Sequence, residues 1–256
     1  MINRNVSKLE KEFIRIKNLG FVKNERPNND GGVGNTFEDH LGVDENNETE
    51  PDFEGFEVKT KRSFTSSYTS LFTKKPSYPN NGDTYMREEF GIYDEEYPSI
   101  KCFRTSIYSN RWSHVHQKAP LVNQLKIKIE VDYKKQKVYF VVANLDEKII
   151  NKEVFWTFED IEKGYKKLND LFVVKAEVKK ENNEEFFHYK EAAVFLQSKD
   201  VNEFIKLIEE GVVRYDNRLG IYRTGPHTGK PHNHGGGFRI ASRNINRIYN
   251  KSFQIN

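Results

Sequence analysis

Cysteine is nearly missing from this chain of 256 residues, with Cys102 its single example. That excludes an internal disulfide and any zinc site built on several cysteines. Long hydrophobic runs are missing too: no apolar stretch approaches the roughly 18 residues of a membrane span. The opening "MINRNVSKLEKEF" has none of the apolar core of a secretory signal. A cytoplasmic protein with no membrane partner is therefore expected. A strong excess of one charge is also lacking, since 41 Lys and Arg against 38 Asp and Glu leave a net +3. Net charge alone thus does not point to a polyanionic partner.

Polar and charged side chains are abundant, with 31% of residues charged and thirteen tyrosines. Their distribution is uneven. From Arg214 to the end, Arg, Lys and His are frequent and Asp216 is the only acid. A chain of this length holds one large domain or two modest ones with a well-buried core.

Hydrophobic periodicity predicts a helix over 7–19, with Leu9, Phe13, Ile16 and Leu19 on one face and Gly20 as its stop. A turn-rich loop follows over 25–35, then a short helix "TFEDHLG" with Thr36 as cap, a polar loop, and a strand in "FEGFEVKTKR". Residues 63–120 carry weak periodic signals and read as irregular strands and loops, with "IKCFRTSIY" one strand. "NQLKIKIEVDYKKQKVYFVVAN" is a hairpin turning near Lys134–Gln136. "TFEDIEKGYKKL" is a helix opened by Thr157 with Asp160 in the capping position. "LFVVKAEVKKENNEEFFHYKEAAVFL" is a second hairpin, turning at Asn182 and Asn183. A capped helix spans Asp200 to Glu210 before Gly211. The tail alternates two short strands, "VVRY" and "LGIYR", with the loop "TGPHTGKPHNHGGGF", and "ASRNINRIYN" is expected as a last helix. Mixed strands, hairpins and helices point to an α/β or α+β fold around a mixed sheet.

"PDFEGFEVKTKR", residues 51–62, carries the most pointed chemistry. On a strand, Phe56 and Val58 share one face, so Glu57 and Lys59 share the other. Asp52 stands at the strand entrance. Phosphodiester hydrolysis at neutral pH needs a hard divalent cation on the scissile phosphate, an aligned water and stabilisation of growing negative charge. Two carboxylates can hold Mg²⁺ while leaving positions open, and a neighbouring lysine can orient the attacking water. The spacing D-x4-E-x-K is weak by itself in so charged a chain. A second copy exists in "NDLFVVKAEVKK", with Asp170, Glu177 and Lys179. The first copy is favoured by the acid Glu38 upstream, by Gly55, expected to permit a close backbone approach, and by Lys61 and Arg62, placed to meet phosphates. The second runs into a hairpin turn, where its charges read as a solvated face.

"GVGNTFEDHLG" followed by "PDFEGFEVKTKR" resembles the MvaI/BcnI-type Type II restriction endonucleases, relatives of the mismatch-repair nickase MutH in the PD-(D/E)xK nuclease superfamily. The resemblance implies a restriction-endonuclease-like core, a mixed β-sheet flanked by helices, with a DNA-recognition subdomain completing a cleft. It makes Glu38, Asp52, Glu57 and Lys59 the catalytic set, with Asp52 and Glu57 the metal ligands and Mg²⁺ the cofactor. "YDNRLGIYRTG" and "KPHNHGGGFRI" are similar to the family's base-reading segments. DNA contacts are thereby implied for Asp216, Arg218, His232, His234 and Arg239, and for Asn233, where some members carry an acid. The weakest match covers residues 63–200.

Other motifs lead elsewhere. "HNH" at 232–234 is not the HNH nuclease motif, whose residues are spread over a ββα unit, and no cysteine or acid completes a zinc set there. "GPHTGK" is one residue short of a P-loop and continues into Pro231. His114 and His116 flank Val115 beside Trp112 and are expected to pack. The reading is thus a bacterial, cytoplasmic, Mg²⁺-dependent endonuclease cutting double-stranded DNA at a G·C-containing site of four or five base pairs, CCNGG-like or GCGC-like. Arg218 and Arg239 suit guanine, and Asp216 suits cytosine N4. The resemblance implies a monomer, with no obligatory protein partner, nicking one strand and then the other. The catalytic core is expected over 1–120 and the recognition segments over 121–256, with the boundary approximate and a single interwoven unit as the alternative. Two other readings are a non-catalytic DNA-binding or repair accessory protein with a degenerate core, and a MutH-like strand nickase.

Overall fold

The computed structural model describes residues 4–26, 31–43, 51–63, 68–115 and 125–255. The chain divides into two compact units that interleave in sequence: 1–67 with 166–199 and 245–256, and 68–165 with 200–244. A single cut near residue 120 is not the division observed.

In chain order, the first unit opens with helix α1 (Arg4–Lys17), strand β1 (Val22–Lys23), helix α2 (Gly32–Leu41) and strand β2 (Glu57–Arg62). The second unit then supplies β3 (Tyr68–Thr73), α3 (Gly82–Phe90), β4 (Ile92–Tyr93), β5 (Lys101–Ile107), β6 (Ser113–His114), β7 (Lys126–Asp132), β8 (Lys137–Ala143), β9 (Ile149–Asn151), β10 (Phe155–Thr157) and α4 (Phe158–Tyr165). A 3₁₀ turn, Lys166–Leu168, leads back to the first unit through β11 (Leu171–Glu181) and β12 (Glu184–Ser198). The second unit resumes with α5 (Val201–Glu209), β13 (Val213–Ile221), β14 (Pro231–Asn233) and β15 (Gly237–Ala241). A 3₁₀ stretch, Ser242–Ile248, precedes the last strand, β16 (Tyr249–Ile255).

The first unit is built on a mixed sheet ordered β1-β12-β11-β2, with β16 on β12. β2 runs parallel to β11, pairing Glu57 with Leu171 through Arg62 with Ala176, and the other pairings are antiparallel. Its apolar face collects Leu9, Phe13 and Ile16 of α1, Phe37 of α2, Phe56 and Val58 before and on β2, and Phe172, Val174, Phe187, Tyr189 and Val194 of the hairpin. Leu19 falls outside the face expected of it: α1 ends at Lys17, and Leu19 is 49% exposed.

The second unit holds two sheets, β10-β8-β7-β6 with β9 on β8, and β3-β15-β13-β5-β4 with β14 on β13. On the apolar side of β13 and β15, Trp156 and Tyr215 pack with ring centroids 4.5 Å apart, and Phe238 meets Phe72 and Tyr215, each at 5.3 Å.

Local signals were followed closely where side chains bond to nearby backbone. Asp200 caps α5 by accepting from the amides of Asn202 and Glu203, and Gly211 closes that helix at φ +71°. The Asp160 amide donates to the Thr157 hydroxyl oxygen, as the capping pattern predicts, whereas the Asp160 carboxylate accepts from that hydroxyl and the Thr157 amide donates instead to Ser77. Asn182 and Asn183 turn the β11–β12 hairpin at positive φ.

Four expectations change. Thr36 is not a cap but a buried residue inside α2, which begins four residues earlier. Glycine stands at these helical positions because neighbours leave little room for a side chain: a Cβ at Gly32 would lie 2.7 Å from Asn24, and one at Gly34 would lie 3.1 Å from Thr60 Oγ1. Gly55 faces open space, and its role is the backbone turn at φ +87° rather than close approach. α3 appears where only loops and strands are expected. The tail forms one continuous β13 in place of two strands, and β16 extends beyond the last helical turns.

Candidate active site

The acid-rich turn before β2 sets the first half of the site. Glu54 and Gly55 both take positive φ, and Phe53 and Phe56 close the turn with reciprocal backbone hydrogen bonds of 3.0 and 2.8 Å. This turn brings Asp52 back beside the strand, where its Oδ2 accepts from the Val58 amide at 2.8 Å. β2 then alternates as expected, with Val58 toward the apolar core and Glu57, Lys59 and Lys61 on the opposite face.

Glu57 is not a solvated carboxylate, for its side chain is only 1% exposed. Its Oε1 is shared by two ammonium groups, Lys59 two residues along the strand and Lys167 at 3.0 Å from the 3₁₀ turn. Its Oε2 is buried and accepts no hydrogen bond among the described residues. A buried acceptor without a donor is costly in a folded protein. Burial raises the Asp52 carboxyl above its ordinary range, the negative charge of Glu57 adds to that, and the Val58 amide, Lys59 and Lys167 partly offset it. Two carboxylates that repel each other, one with an orphaned oxygen, are the donor set a hard divalent cation requires. The residues present therefore fit a divalent metal ion.

Lys61 lies on the same face but is buried, which pulls its ammonium down to about 8, with Lys175 contributing. Arg62 is on the other face and is gripped through both nitrogens by Glu185, one contact being 3.0 Å. Glu38 sits on α2, which packs on β2; its Oε1 would lie 3.8 Å from a Cβ at Gly34. Tyr189 anchors the same helix by donating to the Val33 carbonyl at 2.9 Å.

The rival copy is dispersed. Asp170 accepts from the Gln197 amide at 2.8 Å, Glu177 pairs with Lys190, and Lys179 pairs with Glu181 at 3.0 Å. The side chains of Lys179 and Glu177 are 52% and 35% exposed. Lys167, by contrast, was not singled out by the sequence. Its position in "KKLND" carries no motif, and only the parallel pairing of β11 with β2 makes it a neighbour of Glu57.

In the second unit, β13 is amphipathic to an unusual degree. Tyr215, Asn217 and Leu219 face the core, while Arg214, Asp216, Arg218 and Gly220 share the other side. Register extends that polar face across the sheet: Arg218 opposes Arg104, Asp216 opposes Ser106 and Gly237, Arg214 opposes Arg239, and Gly220 opposes His232. Asp216 is nearly buried between two arginines, bound by Arg214 at 2.8 and 2.9 Å and by Arg239 at 3.2 Å. Arg214 is further held by the Tyr108 hydroxyl at 2.7 Å, with its guanidinium 3.4 Å from the centre of the Tyr68 ring. Arg218 donates to the carbonyls of His234 at 3.1 Å and Gly235 at 3.2 Å, which pins the loop after β14. Burial and the nearby Arg239 lower its proton affinity.

His232 stacks on Tyr222 at 3.8 Å and lies 3.5 Å, centre to centre, from His234. Asn233 turns inward, donating to Asp83 at 3.2 Å and accepting from the Gly235 amide at 2.7 Å. Among the described residues no group of three or more His, Cys, Asp or Glu is placed to bind a metal, so the histidines form no metal cluster. A cavity of about 820 Å³ opens on this face, lined by Arg104, Arg111, Trp112, His114, Asp216 and Arg218 among others. His114 is exposed on it rather than packed as expected, and His116 lies outside the described residues. Arg104 and Arg111 likewise sit in no motif of the sequence.

Among curated sequences none is significantly similar. The solved structure of the restriction endonuclease MvaI with its cognate DNA superimposes with a TM-score of 0.89 at 28% identity, covering 100% of both chains. MvaI in the absence of DNA gives 0.60 at 29% identity, over 100% of this chain and 99% of that one. The family model for the MvaI/BcnI restriction endonucleases matches residues 10–249. With the fold matched end to end and the family model spanning nearly all of it, the chain belongs to the MvaI/BcnI restriction endonuclease family.

Proposed function

We propose that this Type II restriction endonuclease uses Mg²⁺ held by Asp52 and Glu57 to hydrolyse both strands of a short G·C-containing DNA site. The observation that carries the reading is the Glu57 carboxylate, buried with one oxygen lacking a donor and the other shared by two lysines. A bound divalent cation supplies Lewis-acid polarisation of the scissile phosphate and a lowered pKa for an attacking water.

The protein groups do the rest. Glu57 holds Lys59 by a direct ion pair, so the ammonium is fixed beside the carboxylates and oriented toward an attacking water. Lys167 supplies a second positive charge to the same oxygen and steadies the buried carboxylate. Asp52 is oriented by the Val58 amide, whose hydrogen bond favours the carboxylate and partly offsets burial and the charge of Glu57. Glu38, on the helix packed against β2, is the third acid that the family resemblance assigns to the catalytic set.

The polar face of β13 reads the site. Arg218 and Arg239 present planar forks matched to guanine O6 and N7. Asp216 orients the arginines that clasp it as well as offering an acceptor to cytosine N4. His232 and His234 complete the reading surface, and Asn233 acts through its hold on Asp83. Lys61 contributes charge beside the phosphates, while the Glu185 pair ties Arg62 back, and its share of phosphate contact depends on opening that pair. The predicted site has four or five base pairs, CCNGG-like or GCGC-like, and the enzyme works as a monomer that nicks one strand, reorients and nicks the other.

The direct test is plasmid incubated with protein and Mg²⁺, followed by sequencing of the fragment ends. Discrete fragments with one recurring end sequence support the proposal. Retarded but intact DNA would make the protein a binder, and open circles as the final product would make it a nickase.

A further inference from the structure

We propose that Arg104, on β5, is a further specificity-determining residue of this enzyme, contacting a guanine through its guanidinium. The inference rests on the polar face of β13 being the DNA-reading surface.

Three observations carry it. First, Arg104 stands directly opposite Arg218 in the β5–β13 pairing. Like charges at facing positions of antiparallel strands destabilise a sheet, and an acceptor bound over the pair offsets that cost. Second, the fold makes room for this side chain. The Arg104 guanidinium lies across β13 at Gly220, where a Cβ would come within 1.9 Å of Nη2, 2.5 Å of Nε and 2.6 Å of Cζ. Gly220 sits in the strand without a positive φ, so its backbone accepts any residue and close approach alone accounts for the glycine. Third, Arg104 differs from the arginines of β13 and β15, each of which also holds a protein acceptor. Arg214 and Arg239 hold Asp216, and Arg218 holds the loop carbonyls. The Arg104 side chain makes no hydrogen bond or ion pair among the described residues and lines the 820 Å³ cavity.

A planar five-donor fork with no protein acceptor, seated on the floor of a concave polar face, matches the paired acceptors of a guanine edge. His232 lies opposite Gly220, and the nearby Arg104 charge adds to burial in disfavouring its protonation. A neutral imidazole beside the fork keeps one nitrogen as an acceptor for the neighbouring base.

The test is cleavage, in Mg²⁺, of a duplex library randomised across the site by the native enzyme and by Arg104→Ala, Arg104→Lys and Gly220→Ala. All three variants are expected to lose about 10-fold to 100-fold of discrimination at one and the same base pair. Lysine fails there because it lacks the bidentate fork, and alanine at 220 fails by displacing it. Binding to an unrelated duplex stays within about twofold. Unchanged preference in Arg104→Ala overturns the proposal. So does a loss spread evenly over all positions that lysine restores, with a shallower salt dependence, since that marks a phosphate contact. Arg104→Ala leaves the backbone untouched and decides the matter if Gly220→Ala lowers the melting temperature. If the native enzyme cuts nothing, the nuclease reading has failed; selecting the same library by binding in Ca²⁺ still tests Arg104.

Discussion

At the scale of single residues, the buried charges of β2 define what can be measured. Lys61 is held down to about 8 from the usual 10.5 by burial and by Lys175. Its folded proton affinity is therefore lower than that of the unfolded chain. The unfavourable contribution is complete below pH 8 and fades as pH rises toward 10.5. Lys61→Met should accordingly stabilise the protein at pH 7 by more than at pH 10, read from urea unfolding at the two values. Lys167 gives a second prediction. Removing it leaves Glu57 with one cationic partner, so Lys167→Ala should lower the cleavage rate by about 10-fold to 100-fold while specific binding in Ca²⁺ persists. Cleavage at the native rate would confine Lys167 to a structural role.

At the scale of elements, the turn before β2 and the start of α4 carry the clearest stakes. Gly55 at φ +87° is a position that L side chains adopt at a cost of about 1 to 2 kcal/mol. Gly55→Ala should lower the melting temperature by a few degrees and weaken cleavage more than binding, because the turn sets Asp52 against the Val58 amide. Asp160 accepts from Thr157, Ser77 and Lys74, and the Ser77 hydroxyl and Lys74 ammonium hold its carboxyl down at about 2. A depressed acid stabilises above its unfolded value of 3.8, and that stability is lost as pH falls toward 2. Asp160→Asn should therefore cost about 1 kcal/mol at neutral pH, with a shallower loss of stability between pH 4 and 2.

Elements of this kind were legible in the sequence because their signals are local. The Thr157–Asp160 and Asp200 caps, the Asn182–Asn183 turn and the alternation of β2 all depend on neighbours a few residues away. The same holds for the Asp52, Glu57 and Lys59 cluster, whose members lie within eight positions. What could not be read depends on distant chain. Lys167 reaches Glu57 only through the parallel β2–β11 pairing. Arg104 opposes Arg218 only through the register of β5 with β13. The glycines of α2 read as a loop because glycine is a poor helix former, and the side chains that exclude a Cβ there, Asn24 and Thr60, come from other elements.

At the scale of the molecule, the two interleaved units bind distant parts of the sequence into each fold. β2 is paired with β11, more than a hundred residues later, so a fragment ending at residue 120 leaves β2 without its parallel neighbour. Expressed alone, residues 1–120 should give a far-ultraviolet circular dichroism spectrum of a largely unfolded chain. The most direct test of the central claim, that Asp52, Glu57 and Lys59 form the phosphodiester-cleaving site, is a plasmid digest in Mg²⁺ comparing Lys59→Ala with Lys179→Ala. The account predicts discrete fragments from Lys179→Ala and uncut plasmid from Lys59→Ala, with Lys59→Ala still binding the site in Ca²⁺. Cutting by Lys59→Ala and silence from Lys179→Ala would contradict it.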